Sequence, residues 1–373
     1  MDNIILTQAT ELRHELHMHP ELSGEEHETR LRLMNFIKKT TGLMVVDRGK
    51  WFYAKYTAQD PKKPPIAFRA DMDALPTYEA PDSLPYASRN QGIAHKCGHD
   101  GHSSAMCVFA WDLWEKGADR DVYLIFQHAE EDGTGAMECC SLLEELNIPE
   151  VYAVHNMPRV PFGHAQTRPG TINMASVGIE YTFTGTPTHA STPELGKNPA
   201  RALSRMVLAI DSAREAVGAK GLILATVIQL ALGERAFGIS ASRGQLLLTV
   251  RGENEDELQA FIDSLNSAAS ELCKADDLDL GIRYYDKFPE TRNHPDAVAK
   301  VRLACETIGM PFDELADPIR TSEDFGYFLM KAPGALIWLG AGEDVAPLHN
   351  AGFDYNDGLL EETRRIFRAI TDL

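Results

Sequence analysis

Cys97-Gly98-His99-Asp100-Gly101-His102 sets a thiol and an imidazole two residues apart, with small residues between them and acids nearby. Glu130-Glu131 follows the apolar run 122–127, and His155 follows the run 151–154. His349 stands late in the chain, in Pro347-Leu348-His349-Asn350. Sulfur, imidazole nitrogen and carboxylate oxygen together suit zinc or a neighbouring divalent transition metal. In an adjacent acid pair, one carboxylate can bind metal while the other moves protons. These residue types and spacings point to metal-dependent hydrolysis. A free cysteine more often packs as a small hydrophobe, but Gly98 and His99 beside Cys97 reverse that expectation. His102 is expected to cap or pack at a helix start. His14, His17, His19, His27, His164 and His294 are expected to be structural or exposed.

The elements that must hold these residues follow from periodicity. Ile5, Ala9, Leu12 and Leu16 predict an opening helix that Pro20 ends; Leu31, Met34 and Ile37 predict a second that stops near Gly42. Strands are predicted over 51–56 and 66–69, with Asp71 and Asp73 just past the latter. A helix is predicted over 102–116, buried strands over 122–127 and 151–154, and a helix over 137–146. This alternation predicts an α/β fold, a mostly parallel open sheet with helices on both faces. Such sheets bind ligands at the carboxyl ends of their strands.

After about Asn173 the pattern changes. Strand 177–184, helix 198–217, strands 222–230 and 237–250, helix 255–273 and strand 278–285 give the order β-α-β-β-α-β, a ferredoxin-like unit. It would be inserted into the first domain. The expected division is a catalytic metal-binding domain over 1–173 and 287–373, with a lid or dimerisation domain over 174–286. His349 lies in the returning segment, so chain from both sides of the insertion would complete the donor set.

A length of 373 residues allows one or two domains with substantial cores. A formal net charge of -19 argues against a nucleic-acid surface, which needs basic clusters. No apolar run reaches the roughly 20 residues of a membrane span. The opening Met1-Asp2-Asn3-Ile4-Ile5-Leu6 lacks the pattern of a secretory signal. Six cysteines without framework spacing fit reduced thiols and a cytoplasmic location.

Seven motifs in one order carry a family resemblance. They are Leu12-Arg13-His14-Glu15-Leu16-His17 with Pro20-Glu21-Leu22-Ser23; Arg69-Ala70-Asp71-Met72-Asp73-Ala74-Leu75-Pro76; His95-Lys96-Cys97-Gly98-His99-Asp100-Gly101-His102; Phe126-Gln127-His128-Ala129-Glu130-Glu131; His155-Asn156-Met157-Pro158; His189-Ala190; and Ser322-Glu323-Asp324-Phe325 with Leu348-His349 and Phe353-Asp354-Tyr355-Asn356-Asp357. On these the chain resembles the N-acyl-amino-acid amidohydrolase family of dinuclear metallopeptidases. That family includes hippurate hydrolases, aminoacylases, N-acetyl-diaminopimelate deacetylases and plant auxin-conjugate hydrolases.

The resemblance implies an aminopeptidase-like catalytic domain holding two divalent metal ions per subunit, zinc or manganese, with cobalt or nickel able to substitute. Cys97, His99, Glu131, His155 and His349 would be the metal ligands. Glu130 would be the general base for metal-activated water that cleaves the amide bond of a small-molecule N-acyl amino acid. His189 would be the lid histidine that reaches an active site, commonly the neighbouring subunit's in a homodimer. Arg251 would bind a substrate carboxylate by paired hydrogen bonds. Asp71 or Asp73 would orient a ligand imidazole. Neither a nucleic acid nor a membrane is an expected partner.

Three departures from the family pattern stand out. His128 replaces a frequent proline, Lys96 a small residue, and Gly238-Ile239-Ser240-Ala241-Ser242 a frequent Asn-Val-Ile-Pro-Asp. They leave the metal residues intact and bear on substrate choice. Two alternatives stay open at this level: a dipeptidase or carboxypeptidase of the same metal class, and a catalytically inactive binding homologue.

Overall fold

A computed structural model describes residues 3–373; the first two residues of the opening segment lie outside it. The chain divides into two compact units. One takes the residues up to Ile172 together with Thr291–Pro318 and Glu323–Leu373; the other takes Asn173–Glu290 and Ile319–Ser322. The short return of Ile319–Ser322 to the second unit has no sequence signal, because so brief a stretch carries no periodicity.

The first unit is built on an eight-stranded sheet. Its order is Met44–Asp47, Phe52–Tyr56, Val122–Gln127, Ile66–Asp71, Val151–Pro158, Gly334–Gly342, Ala165–Thr167 and Phe312–Glu314. The strands from Val122–Gln127 to Gly334–Gly342 run parallel. Phe52–Tyr56 and Met44–Asp47 continue one side antiparallel. Every residue of Ile66–Asp71 and Val122–Gln127 is buried, as expected of parallel strands covered on both faces. Helix His99–Lys116 packs against the sheet and against helices Asn3–Met18, His27–Thr40 and Leu359–Asp372. Phe68 sits at the middle of this packing, its ring 5.1 Å from Phe109, 6.1 Å from Tyr152 and 4.5 Å from Phe367.

Three elements of the first unit differ from the sequence expectation. The long helix begins at His99, not His102; its first turn carries polar residues, so the apolar pattern is silent there. Asp71 is the last residue of its strand, not a loop residue beyond it. The helix expected over 137–146 is two short pieces, Gly135–Cys139 and Ser141–Glu145.

The second unit is a four-stranded antiparallel sheet in the order Asp279–Phe288, Ala175–Thr184, Arg243–Gly252, Ile223–Leu232. Helices Ala200–Val217 and Glu255–Asp276 complete the β-α-β-β-α-β order. Alternation along Arg243–Gly252 buries Leu246, Leu248 and Val250 with Leu203, Met206, Phe261 and Leu265. The strand expected over 237–250 starts only at Arg243. The preceding segment turns instead toward 186–190: Ala190 N donates to Gly238 O at 3.0 Å and Ser240 N to Thr188 O at 2.8 Å. Among the described residues no helix is long and apolar enough to cross a membrane.

Phe68 is fully buried, so Phe68→Ala leaves a cavity that rigid neighbours cannot fill. Urea unfolding of that variant is expected to show a loss of about 3–5 kcal/mol; a loss near zero would mean that the centre of the sheet is not the load these rings share.

Candidate metal centre

Four segments of the first unit bring Asp71 and Asp73, Glu130 and Glu131, His155, and Cys97 with His99 together, and His349 joins them from a fifth. Strand Ile66–Asp71 ends on Asp71, with Asp73 two residues beyond. Glu130 and Glu131 follow strand Val122–Gln127 across Ala129, whose φ of 48° turns the chain sharply. His155 lies in strand Val151–Pro158, beside Trp338 of the neighbouring strand, ring centroids 4.5 Å apart. His99 opens its helix directly after Gly98, at φ 98°. A Cβ on Gly98 would lie 2.5 Å from Asn156 Nδ2, so both conformation and space call for glycine there.

Hydrogen bonds set the direction of each group. His99 Nδ1 donates to Asp73 Oδ1 at 3.0 Å, which turns Nε2 the other way. Asp73 Oδ2 accepts from Glu131 N at 2.9 Å and from Ser23 Oγ at 2.7 Å. One carboxylate thus orients both His99 and the Glu131 backbone. His155 Nδ1 donates to Asn156 O at 2.9 Å, and its Nε2 lies 3.6 Å from Cys97 Sγ. His102 is committed elsewhere, with Nδ1 donating to Asp71 Oδ1 at 2.7 Å and Nε2 accepting from Asn156 N at 3.0 Å. His349 Nε2 stands 3.6 Å from Glu131 Oε1, on a loop that leaves its side chain 55% exposed.

The electrostatics are dominated by crowded acids. His99 Nε2 faces Asp71 Oδ2 at 3.9 Å, Glu130 Oε2 at 3.9 Å and Glu131 Oε1 at 3.7 Å. Burial opposes a charge on His99, yet Asp71, Asp73 and Glu131 outweigh it and raise its pKa to about 10. Burial raises Glu131 to about 7, with His99 pulling the other way. Burial, helped by Glu323, Glu131 and Asp324, holds Glu130 well above the ordinary carboxylate range. Burial and the charges of Glu131, Glu130 and Asp71 push the Cys97 thiol well up.

These residues fit divalent cations. His99 Nε2 and Glu131 Oε1 are buried atoms without a hydrogen-bond partner, which is costly unless something else satisfies them. Cys97, His99 and His155 offer donor atoms within 4.8 Å of one another, and so do Cys97, Glu131 and His349. The mixture of sulfur, imidazole and carboxylate is that of zinc-type sites.

His189 and Arg251 belong to the second unit. His189 is exposed, its Nδ1 2.7 Å from Ser191 Oγ. Arg251 Nη1 donates to Arg320 O at 3.2 Å and to Ser322 Oγ at 2.5 Å. Of the histidines expected to be structural, His17 is buried between Asp100 at 2.8 Å and Glu79 at 3.2 Å. His14 stacks on Tyr86, ring centroids 3.6 Å apart.

Arg69, Glu323 and Asp324, for which the sequence alone suggests no role, lie beside Glu130. Arg69 is fully buried and bonds Asp71, Gln127 and Asp324, each at 2.7 Å, with Glu323 at 3.0 Å. It offsets the acids around Glu130. The sequence carries a signal for it: a single charge among the apolar residues 66–70 must find partners once buried.

The peptidase family M20/M25/M40 matches residues 67–372. An N-acetyldiaminopimelate deacetylase from Leuconostoc mesenteroides is 27% identical over 359 residues, covering 93% of this chain and 92% of that protein. A hippurate hydrolase from Campylobacter jejuni is 28% identical over 354 residues, covering 94% and 92%. A solved structure from Bacillus subtilis, described as a dinuclear metal binding peptidase of the M20 family, superposes with a TM-score of 0.83 at 23% identity, covering 99% of this chain and 98% of that one; it shows the same fold.

The raised pKa values of His99 and Cys97 predict a proton count. At pH 8 both groups keep their protons in the metal-free protein, and a cation that takes both must displace them. Calorimetry of metal binding in two buffers of different ionisation enthalpy is expected to show about two protons released per chain, falling by about one in Cys97→Ala. Release near zero would mean that neither group is a ligand.

Proposed function

The chain belongs to peptidase family M20/M25/M40 and is a metal-dependent amide hydrolase; on that premise we propose that it cleaves the amide bond of N-acyl amino acids, with Glu130 as its general base. The observation that carries this is His99 Nε2, a buried atom without a hydrogen-bond partner that faces Asp71, Glu130 and Glu131. Cys97, His99, Glu131, His155 and His349 would hold two divalent cations, with zinc or manganese the best fit and cobalt or nickel as substitutes. When bound, such cations supply Lewis acidity toward a carbonyl and a water. The names of the two relatives, a deacetylase and a hippurate hydrolase, support an acylated amino acid as substrate.

Glu130 takes the proton of the attacking water and returns it to the departing amine. Burial, with Glu323, Glu131 and Asp324 nearby, raises the proton affinity of this carboxyl above that of an exposed one, the direction a proton shuttle needs. Asp73 keeps His99 in one orientation through the bond at Nδ1. We assign His189 of the second unit to the developing oxyanion, where a positioned donor is worth about 3 kcal/mol. Arg251 is assigned to the substrate carboxylate, which a planar guanidinium can bind through two parallel bonds. A homodimer and a cytoplasmic location complete the proposal; six free cysteines suit a reducing compartment.

Glu130→Gln preserves size and removes the proton acceptor. Turnover is expected to fall by about 10²–10⁴-fold while elemental analysis finds the metal content unchanged; retained turnover would remove Glu130 as the base. The function itself is checked by offering N-acetyl and N-benzoyl amino acids, beside free dipeptides, to chelated and metal-reconstituted protein. Metal-dependent release of the free amino acid from the acylated substrates is expected, and faster cleavage of dipeptides would replace this proposal with a dipeptidase.

A further inference from the structure

His349 is the outlier of the donor set. It is the only one of the five on a loop with a largely exposed side chain, and its backbone adopts φ 61°. A left-handed conformation is uncommon for a residue other than glycine, and contacts with neighbouring structure help to hold it here. Two bonds from Lys96 bracket this stretch of chain. The Lys96 carbonyl accepts from His349 N at 2.7 Å. The Lys96 ammonium donates to Phe353 O at 2.8 Å and to Glu79 Oε1.

Lys96 is 1% exposed, so its charge is held wholly by these partners. Glu79 is anchored in turn by His17 Nε2 at 3.2 Å and by Ser88 N, which donates at 2.6 Å. Arg13, paired with Asp100 at 3.1 Å, grips Asp354 next to Phe353. A buried network therefore ends on the residues that follow His349, and Lys96 touches that segment at both ends.

We infer that Lys96 is a positioning residue: its carbonyl and its ammonium tie the 349–353 segment to the Cys97 loop, and thereby hold His349 against Glu131 and Cys97. An apolar or small side chain at this position would keep the backbone bond and lose the second tether. The inference deepens the proposed function, since it rests on His349 being a ligand.

Removing Lys96 alone would strand the buried Glu79 charge, so the test uses Lys96→Met and the neutralised pair Lys96→Met with Glu79→Gln. In metal-free protein, hydrogen exchange across 343–357 is expected to quicken at least tenfold in the paired variant, with strand Val122–Gln127 unchanged. Unchanged exchange across 343–357, or equal acceleration throughout the fold, would overturn the tether. Zinc titration against a competing chelator is then expected to show one cation bound at least tenfold more weakly. His349→Ala should give the same loss, and adding it to the paired variant should cost nothing further. A loss in His349→Ala without one in the paired variant overturns the positioning role and leaves the proposed function standing. No loss in His349→Ala removes His349 from the donor set, and with it both the ligand assignment and this inference.

Discussion

The carboxyl ends of the parallel strands crowd more carboxyl groups into a buried place than protein alone can keep ionised there. Asp71, Asp73, Glu130, Glu323 and Asp324 are all buried there, with Glu131 only slightly more exposed. Taking ionised carboxylates out of water is expensive unless opposite charge is close. Arg69 supplies one positive charge and a protonated His99 can supply another. The balance favours cations at the atoms that lack protein partners, and this demand organises the surrounding structure.

Each supporting feature serves that concentration of charge. Parallel strands place successive chain segments side by side with their ends in register, as Asp71 opposite Gln127 shows. Glycine at position 98 lets helix His99–Lys116 begin close to Asn156 and Tyr355. The positive φ of Ala129 turns Glu130 and Glu131 back across the strand ends. Asp73 couples two of these segments by bonding His99 and the Glu131 backbone together. The apolar body beneath, around Phe68, supplies the rigidity that holds groups at such distances.

The second unit reaches its fold by a different route. Its sheet is antiparallel, and alternation along Arg243–Gly252 sorts one face to the helices. That period of two is readable directly from residues, which is why its order of elements was visible in sequence. Residues 237–242 imitate the alternation of a strand through Phe237, Ile239 and Ala241, yet the strand begins only at Arg243. Backbone bonds to Thr188 and Ala190 claim the preceding segment instead.

The sequence by itself determined the kinds of donor, the α/β alternation of the first unit and the β-α-β-β-α-β order of the second. These are local properties, written in residue type, spacing and period. It also exposed Lys96 as unusual without saying what a buried ammonium would do. Tertiary structure alone decided that His99 points Nε2 at three carboxylates, that His102 is spent on Asp71 and Asn156, and that Ile319–Ser322 rejoins the second unit. It also decided that Lys96 reaches Phe353. Those facts depend on contacts between residues far apart in the chain, whose distances no local pattern encodes, and on burial, which turns ordinary acids and imidazoles into groups that require a cation.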